Sequence, residues 1–300
     1  MIMAFVKGAR MHTPESPSSG RFDTWSAAVD PTVASVARIY DYAIGGKDNF
    51  KVDRDVAHAL VAEVPEALLF ARENRSFLRR AVRFLAAECG IRQFIDHGSG
   101  LPTADNVHQI AQRSEPGSRV VYIDNDPVVL AYGRVLLAED GNTAVLHADM
   151  GATESILAEE RTRQLIDFTE PVAALYVSVL HCIPDDADPA AVVARMLEAV
   201  PSGSYLVLSH IVSDDERAAA HFTEFMTSST TWGRVRSPEE VAGFFTGLEL
   251  VEPGLVDVVN WRPDPDDPVW SVTDSPFGEF PPDPAGPKKL WELGGIARKP

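Results

Sequence analysis

Residues 91–103, IRQFIDHGSGLPT, decide the fold. Ile91, Phe94 and Ile95 form a short apolar run that ends on Asp96, and the backbone then sheds its side chains at Gly98 and Gly100. A hydrophobic strand that closes on an acid and two glycines is how an open α/β sheet offers a loop to a nucleotide-like ligand at its carboxyl edge. Glycine lets that loop turn tightly and approach a ligand with no Cβ in the way.

The spacing separates two ligand classes. A dinucleotide fingerprint needs G-x-G-x-x-G with a pyrophosphate on the next helix N-terminus. Here Thr103 stands where the third glycine belongs, and Asp96 would set a negative charge beside a diphosphate. An ammonium and a sulfonium tolerate that acid far better. The D-x-G-x-G order therefore favours S-adenosylmethionine over a nicotinamide cofactor, with an ordinary tight turn as the bland alternative.

From this strand outward, strands and helices alternate in the pattern of a doubly wound parallel sheet. Strand two is expected at 119–124 (RVVYID). Its terminal Asp124 lies about twenty residues past the glycines, the spacing of an acid that accepts hydrogen bonds from a ribose diol. Asn125 beside it joins the expected cofactor set. Asp126-Pro127 reads as an N-cap with proline at the first helical position. Strand three (143–148) leads to Asp149, read either as a partner for the adenine amine or as an N-cap for a helix over 152–159. Strand four is the apolar run 172–180, with His181 just past it. Strand five is 205–210, strand six is 248–261 with a Pro-Gly interruption, and a last strand lies in 290–300.

Upstream, Val33, Val36, Ala37 and Tyr40 have helical spacing that should stop at Gly45-Gly46. The polar run Lys47, Asp48, Asn49 that follows reads either as a solvated helix end or as a lid supplying Tyr42, Lys47 and Asn49 to the ligand. Helices are expected at 53–63 and 66–89. In the second, Arg72, Arg75, Arg79 and Arg83 share a side, either solvated or with Arg75 reaching a ligand carboxylate. These segments suggest three parts: a mobile arm (1–30), a helical cap (31–89) and a ligand-binding α/β domain (90–300).

Composition narrows the partners. A formal net charge of −17 disfavours a nucleic-acid backbone or an anionic membrane. Two cysteines, Cys89 and Cys182, imply no disulfide framework and suit a reducing cytoplasm. The apolar start at Met1–Val6 is too short for a signal segment. No histidine or cysteine cluster has metal-ligand spacing. A homodimer is compatible with the apolar faces of the cap.

Six blocks then carry a resemblance: ARIYDYAIGGKDNF (37–50), ENRSFLRRAVRFL (73–85), FIDHGSGLPTADNVH (94–108), VVYIDNDPVVL (120–130), VLHCIPDDADP (179–189) and SYLVLSH (204–210). Together they resemble the actinobacterial S-adenosyl methyltransferase family over about residues 31–300. The resemblance implies a class I, Rossmann-like α/β sheet of seven strands, in order 3-2-1-4-5-7-6 with strand seven antiparallel. It implies that Gly98, Ser99 and Gly100 line the methionine moiety, that Asp124 holds the ribose, and that Asp149 and Met150 flank the adenine. His97 departs from the family pattern and either crowds the loop or turns into the packing. The expected activity is methyl transfer to a small-molecule acceptor. His181 is the candidate base and Tyr42 a second catalytic candidate. The alternatives are a cofactor-binding sensor without turnover and, less favoured because of Thr103, a nicotinamide-dependent oxidoreductase.

Overall fold

In the computed structural model, residues 29–103, 105–136, 141–267, 276–277 and 288–300 are described. Nearly all of the expected arm and most of the 262–288 loop lie outside those residues. Residues 31–300 form one compact unit.

Eight strands make one sheet: β1 (Gln93–His97), β2 (Arg119–Asp124), β3 (Thr143–His147), β4 (Ala173–Val177), β5 (Tyr205–Val212), β6 (Glu249–Leu250), β7 (Val256–Asp257) and β8 (Trp291–Arg298). The order is β3-β2-β1-β4-β5-β8-β6, with β7 also on β8. Strands β1 to β5 run parallel, and β8 runs antiparallel to β5, from Tyr205 opposite Arg298 to Val212 opposite Trp291. This is the expected order, with β8 in the seventh position. The expected sixth strand is replaced by two two-residue strands, β6 and β7. Pro253 has no N–H for a ladder, and the chain turns at Gly254 between them.

Side chains alternate across the sheet with period two. Ile95, Val121, Ile123, Leu206 and Leu208 pack on one face with Val192, Met196 and Phe244. Phe94, Val120, Tyr122, Val207 and Ile296 pack on the other, against Phe77, Val82 and Leu85. The same alternation sends Asp96, Asp124, Ser209 and Glu292 toward this second face, each two or four residues from an apolar neighbour there. The antiparallel run of β8 brings Glu292 to the edge where the parallel strands end, opposite Ile211.

The helices upstream are α1 (Val36–Ala43), α2 (Lys51–Glu63) and α3 (Ala67–Ala87). Phe77, Leu78, Ala81, Val82 and Leu85 of α3 belong to the sheet's own helical layer, so α3 is part of the α/β core. Its arginines are not one solvated row. Arg72 is buried, and the buried Arg80 donates to the carbonyls of Trp261 (2.8 Å) and Val258 (2.6 Å).

A buried ion group ties α1 to the sheet. Arg38 donates to Asp53 (2.8 Å) and Asp126 (3.2 Å), with exposures of 5%, 0% and 8% for the three residues. Ser35 donates its hydroxyl to Asp126 as well (2.5 Å), while the other Asp126 oxygen accepts the Val128 N–H (2.8 Å). Asp126 thus caps α5 (Pro127–Leu136) as expected and also anchors the cap. Removing one partner of a buried pair leaves the other charge uncompensated, which costs about 3–5 kcal/mol. Arg38→Ala should lower the urea unfolding midpoint accordingly.

Candidate functional site

The glycine loop is fixed by backbone chemistry. The N–H groups of Gly98 and Ser99 both donate to the Ile123 carbonyl, at 2.8 and 3.0 Å. Gly98 sits at φ +66, and a Cβ there would stand 2.2 Å from Val179 Cγ2. Gly100 sits at φ +67, but a Cβ there would meet nothing within 4 Å. One glycine is required by the fold; the other leaves open space above the sheet edge.

Asp124, at the end of β2, organises both sides of that space. One carboxylate oxygen accepts the Gly100 N–H (2.8 Å) and the other the Asp126 N–H (2.9 Å). A carboxylate has about four acceptor positions, so capacity remains for a diol. Burial pushes the Asp124 carboxyl upward from the ordinary range, and the backbone N–H groups hold it back.

Asp96 lies beside it at the end of β1, 6% exposed. Burial pushes its carboxyl up to about 7, the Arg75 guanidinium draws it down, and Asp124 raises it. Arg75 also donates to the Asp105 carbonyl (2.7 Å), so α3 and the glycine loop are joined above Asp96. Tyr40 of α1 borders the same space. Its hydroxyl donates to the Ala71 carbonyl (2.8 Å) and accepts from Asn74 (3.2 Å), and burial raises it to about 12.

His97 turns into the packing, which resolves the two readings of its departure from the family pattern. It is fully buried and stacked on Tyr176 with ring centroids 4.2 Å apart. Burial lowers it to about 4, so the imidazole is neutral.

The other expected site residues distribute unevenly. Asn125 has an exposed side chain, and its carbonyl faces His147 Nε2 at 2.9 Å. Asp149 is exposed and accepts the Gly151 N–H (2.7 Å); the N-cap of the following helix, α6 (Thr153–Ala158), is Ala152, so Asp149 shapes the turn and does not cap. Met150 packs part-buried on the core beside it. Asn49 is consumed in the loop after α1. It donates to Asp41 (2.8 Å) and to the Gly46 carbonyl (3.1 Å), and accepts from Arg54 (3.0 Å). Lys47 is exposed on the same loop. Tyr42 bonds His58 of the cap (2.9 Å) and the Pro276 carbonyl (3.1 Å) and packs edge-on against Phe277, so its hydroxyl is already engaged.

His181 does not reach the ligand space. The strand ends at Val177, Ser178 swings to φ +57, and the chain coils through a tight turn at Leu180–Cys182 that carries the imidazole inward. His181 is 1% exposed, stacked on Trp232 at 4.3 Å and 5.1 Å from the His210 ring. Its Nδ1 accepts the Ile211 N–H (3.4 Å), and burial, with His210 and Arg236 adding, holds it well below the usual histidine range. It is a neutral post under the Ser178 turn.

Sequence reasoning missed Tyr40, Asn74, Ser178, Ser209 and Glu292. Only Glu292 left a signal, an acid inside the apolar strand LWELGG. Among the described residues there is no group of three or more histidine, cysteine, aspartate or glutamate side chains arranged to hold a metal. No helix among them is long and apolar enough to cross a membrane.

The profile of a family described as S-adenosyl methyltransferase matches residues 23–300. A crystal structure from Thermobifida fusca YX, titled as a candidate methyltransferase, is 40% identical, covers 94% of this chain and 99% of its own, and superposes with a TM-score of 0.80. A DUF574 family protein from Streptomyces avermitilis is also 40% identical, covers 90% and 99%, and has a TM-score of 0.78. No curated protein matches the chain. The acid-glycine loop, the acid that closes β2 and a family match spanning nearly the whole chain make it a member of the S-adenosyl methyltransferase family, with the class I methyltransferase fold and S-adenosylmethionine as its cofactor.

Proposed function

We propose that this chain transfers the cofactor's methyl group to a small-molecule acceptor. The observation that carries the reading is Asp96. A buried carboxyl held near neutrality at a strand end, beside a glycine whose missing Cβ opens space, suits a ligand that brings its own cation. The residues present fit the cofactor. Asp96 would take the ammonium, Arg75 the carboxylate, Gly98–Gly100 the methionine chain, and Asp124 the ribose hydroxyls. Asp149 and Met150 would flank the adenine. When bound, the cofactor supplies an activated methyl group, so the protein's share is positioning and exclusion of water. Tyr40, Asn74 and the α3 face provide a wall that can exclude solvent. The net charge of −17 and the acids around the crevice argue for a small acceptor over a polyanion.

The experiment is calorimetry with S-adenosylmethionine and S-adenosylhomocysteine. Both should bind saturably to the wild type. Asp124→Ala removes a charged acceptor worth about 1.5–3 kcal/mol and should weaken both by roughly 10- to 100-fold. A null titration of folded wild-type protein would overturn the proposal.

A second reading, a cofactor sensor without turnover, draws support from the burial of His181 and the engagement of Tyr42 in the cap. Neither is free to serve as a base. Tight binding with no methyl transfer to any compound of a broad amine and alcohol library would favour it.

A further inference from the structure

Glu292 is a second buried acid at the same sheet edge, and the cofactor residues leave it unused. It is 0% exposed, and it shares the face of Gly294 and Ile296, the face to which Asp96 also points. One oxygen accepts the hydroxyl of Ser178, a residue held in the left-handed region at φ +57. The other oxygen, Oε2, has no hydrogen-bond partner among the described residues.

A polar chain runs from Glu292 back to the cofactor crevice. Ser178 N–H donates to Ser209 Oγ (2.9 Å), Ser209 Oγ donates to Asn74 Oδ1 (2.5 Å), and Asn74 donates to the Tyr40 hydroxyl (3.2 Å). The Tyr40 phenol feels both Glu292 and Asp96, and the Cys182 thiol feels both Glu292 and Asp124. The Tyr40 and Cys182 side chains are both half-buried. Along the sheet, β4 and β5 separate Glu292 on β8 from Asp96 on β1 and Asp124 on β2.

Leaving a buried polar atom unpaired costs about 1–3 kcal/mol, so a purely structural side chain here would be better apolar or an amide. The charges around Glu292 indicate what completes it. Glu73 of α3 and Asp257 of β7 both oppose its ionisation, and Lys288 is engaged by those two, at 3.1 and 3.3 Å. Among the described residues no cation pairs with Glu292 itself. The field is negative, and it lacks one positive charge.

We infer that Glu292, through its free Oε2 and with Ser178 holding Oε1, binds the nitrogen of an amine methyl acceptor. This rests on the methyltransferase reading and names its substrate class. Burial holds the Glu292 carboxyl up to about 8, so it is mostly protonated at pH 7. An entering ammonium converts it to a carboxylate, and one proton per ligand leaves to solvent. The same carboxylate can then take back a proton from the nitrogen, since a base is most effective with a pKa near the working pH.

The test uses the full chain saturated with S-adenosylhomocysteine. n-Butylamine and benzylamine are titrated beside 1-butanol and benzyl alcohol, by calorimetry at pH 7 in two buffers of different ionisation enthalpy. The amines should bind at least tenfold more tightly than the matching alcohols, with release of about one proton. Glu292→Gln should abolish both the preference and the proton release and leave S-adenosylhomocysteine affinity within twofold. Ser178→Gly, which relieves the left-handed strain and deletes the hydroxyl, should keep the proton release and reduce amine affinity. The inference fails if no amine binds better than its alcohol, or if Glu292→Gln binds the amines as wild type does. Failure of the wild type to bind S-adenosylhomocysteine would instead overturn the methyltransferase reading.

Discussion

Gly98→Val is expected to lose all saturable binding of S-adenosylhomocysteine and to unfold at markedly lower urea. Two costs act together. A residue with a Cβ at φ +66 pays about 1–2 kcal/mol for the left-handed backbone, and a β-branched one more. The added Cβ would also stand 2.2 Å from Val179 Cγ2, inside the packing that seats the turn after β4. The loop must lift, and the two bonds to the Ile123 carbonyl go with it. Gly100→Ala provides the contrast. It bears the same backbone strain, but its Cβ enters open space, so the fold should persist while cofactor affinity drops because the methyl group stands where the ligand belongs. Equal binding by Gly98→Val and wild type would remove the loop from the site.

Asp96→Asn should stabilise the free protein and cripple its ligand binding. In the folded chain this carboxyl ionises near 7, against 3.8 for an ordinary aspartate. Between those values the folded state holds a proton that the unfolded state has released. Its contribution to stability is therefore present at low pH, is lost as pH rises through that window, and is fully lost above 7. The size is on the order of 4 kcal/mol at pH 8. The asparagine variant lacks this loss, so its urea midpoint should exceed that of wild type at pH 8 and approach it at pH 4. Cofactor binding should move the other way. Wild-type affinity should rise from pH 5.5 to a plateau above 7 as the carboxylate forms, and the variant should bind weakly with a flat profile over the same range. Midpoints that shift alike at both pH values would show that Asp96 is not a buried acid held near neutrality.

Much of the frame was legible because local chemistry and tertiary packing agreed. RVVYID is β2 from end to end, and Asp126-Pro127 starts α5. The family resemblance supplied the sheet order. Other elements went astray for identifiable reasons. The helix after the glycine loop starts at Val107, where Gln109 reaches back to the Asn106 N–H (2.8 Å) and Asn106 takes the Thr103 N–H (2.9 Å), a local cap that no hydrophobic period marks. His181 looked like a group at the functional edge because it follows an apolar run. Only the left-handed step at Ser178 reveals that it turns inward. Arg38 was invisible as an anchor, since Asp53 and Asp126 lie 15 and 88 residues away. Ser209 was hidden within a run whose apolar content said strand and nothing of which face its side chain would take, and the acid in LWELGG stood out without showing what it would meet.

The place of β8 has a consequence for how the chain is made. This strand lies between β5 and β6 and also holds β7, so three other strands of the sheet meet on residues 291–298. A ribosome therefore releases β1 to β5 with one flank of the sheet still open, and β6 and β7 emerge with nothing to pair against. The nascent chain must keep that flank from sticking to its neighbours until the final strand slides in. A premature stop anywhere before Trp291 would remove the strand that joins the sheet's two parts, leaving an exposed edge fit for degradation rather than a shortened enzyme.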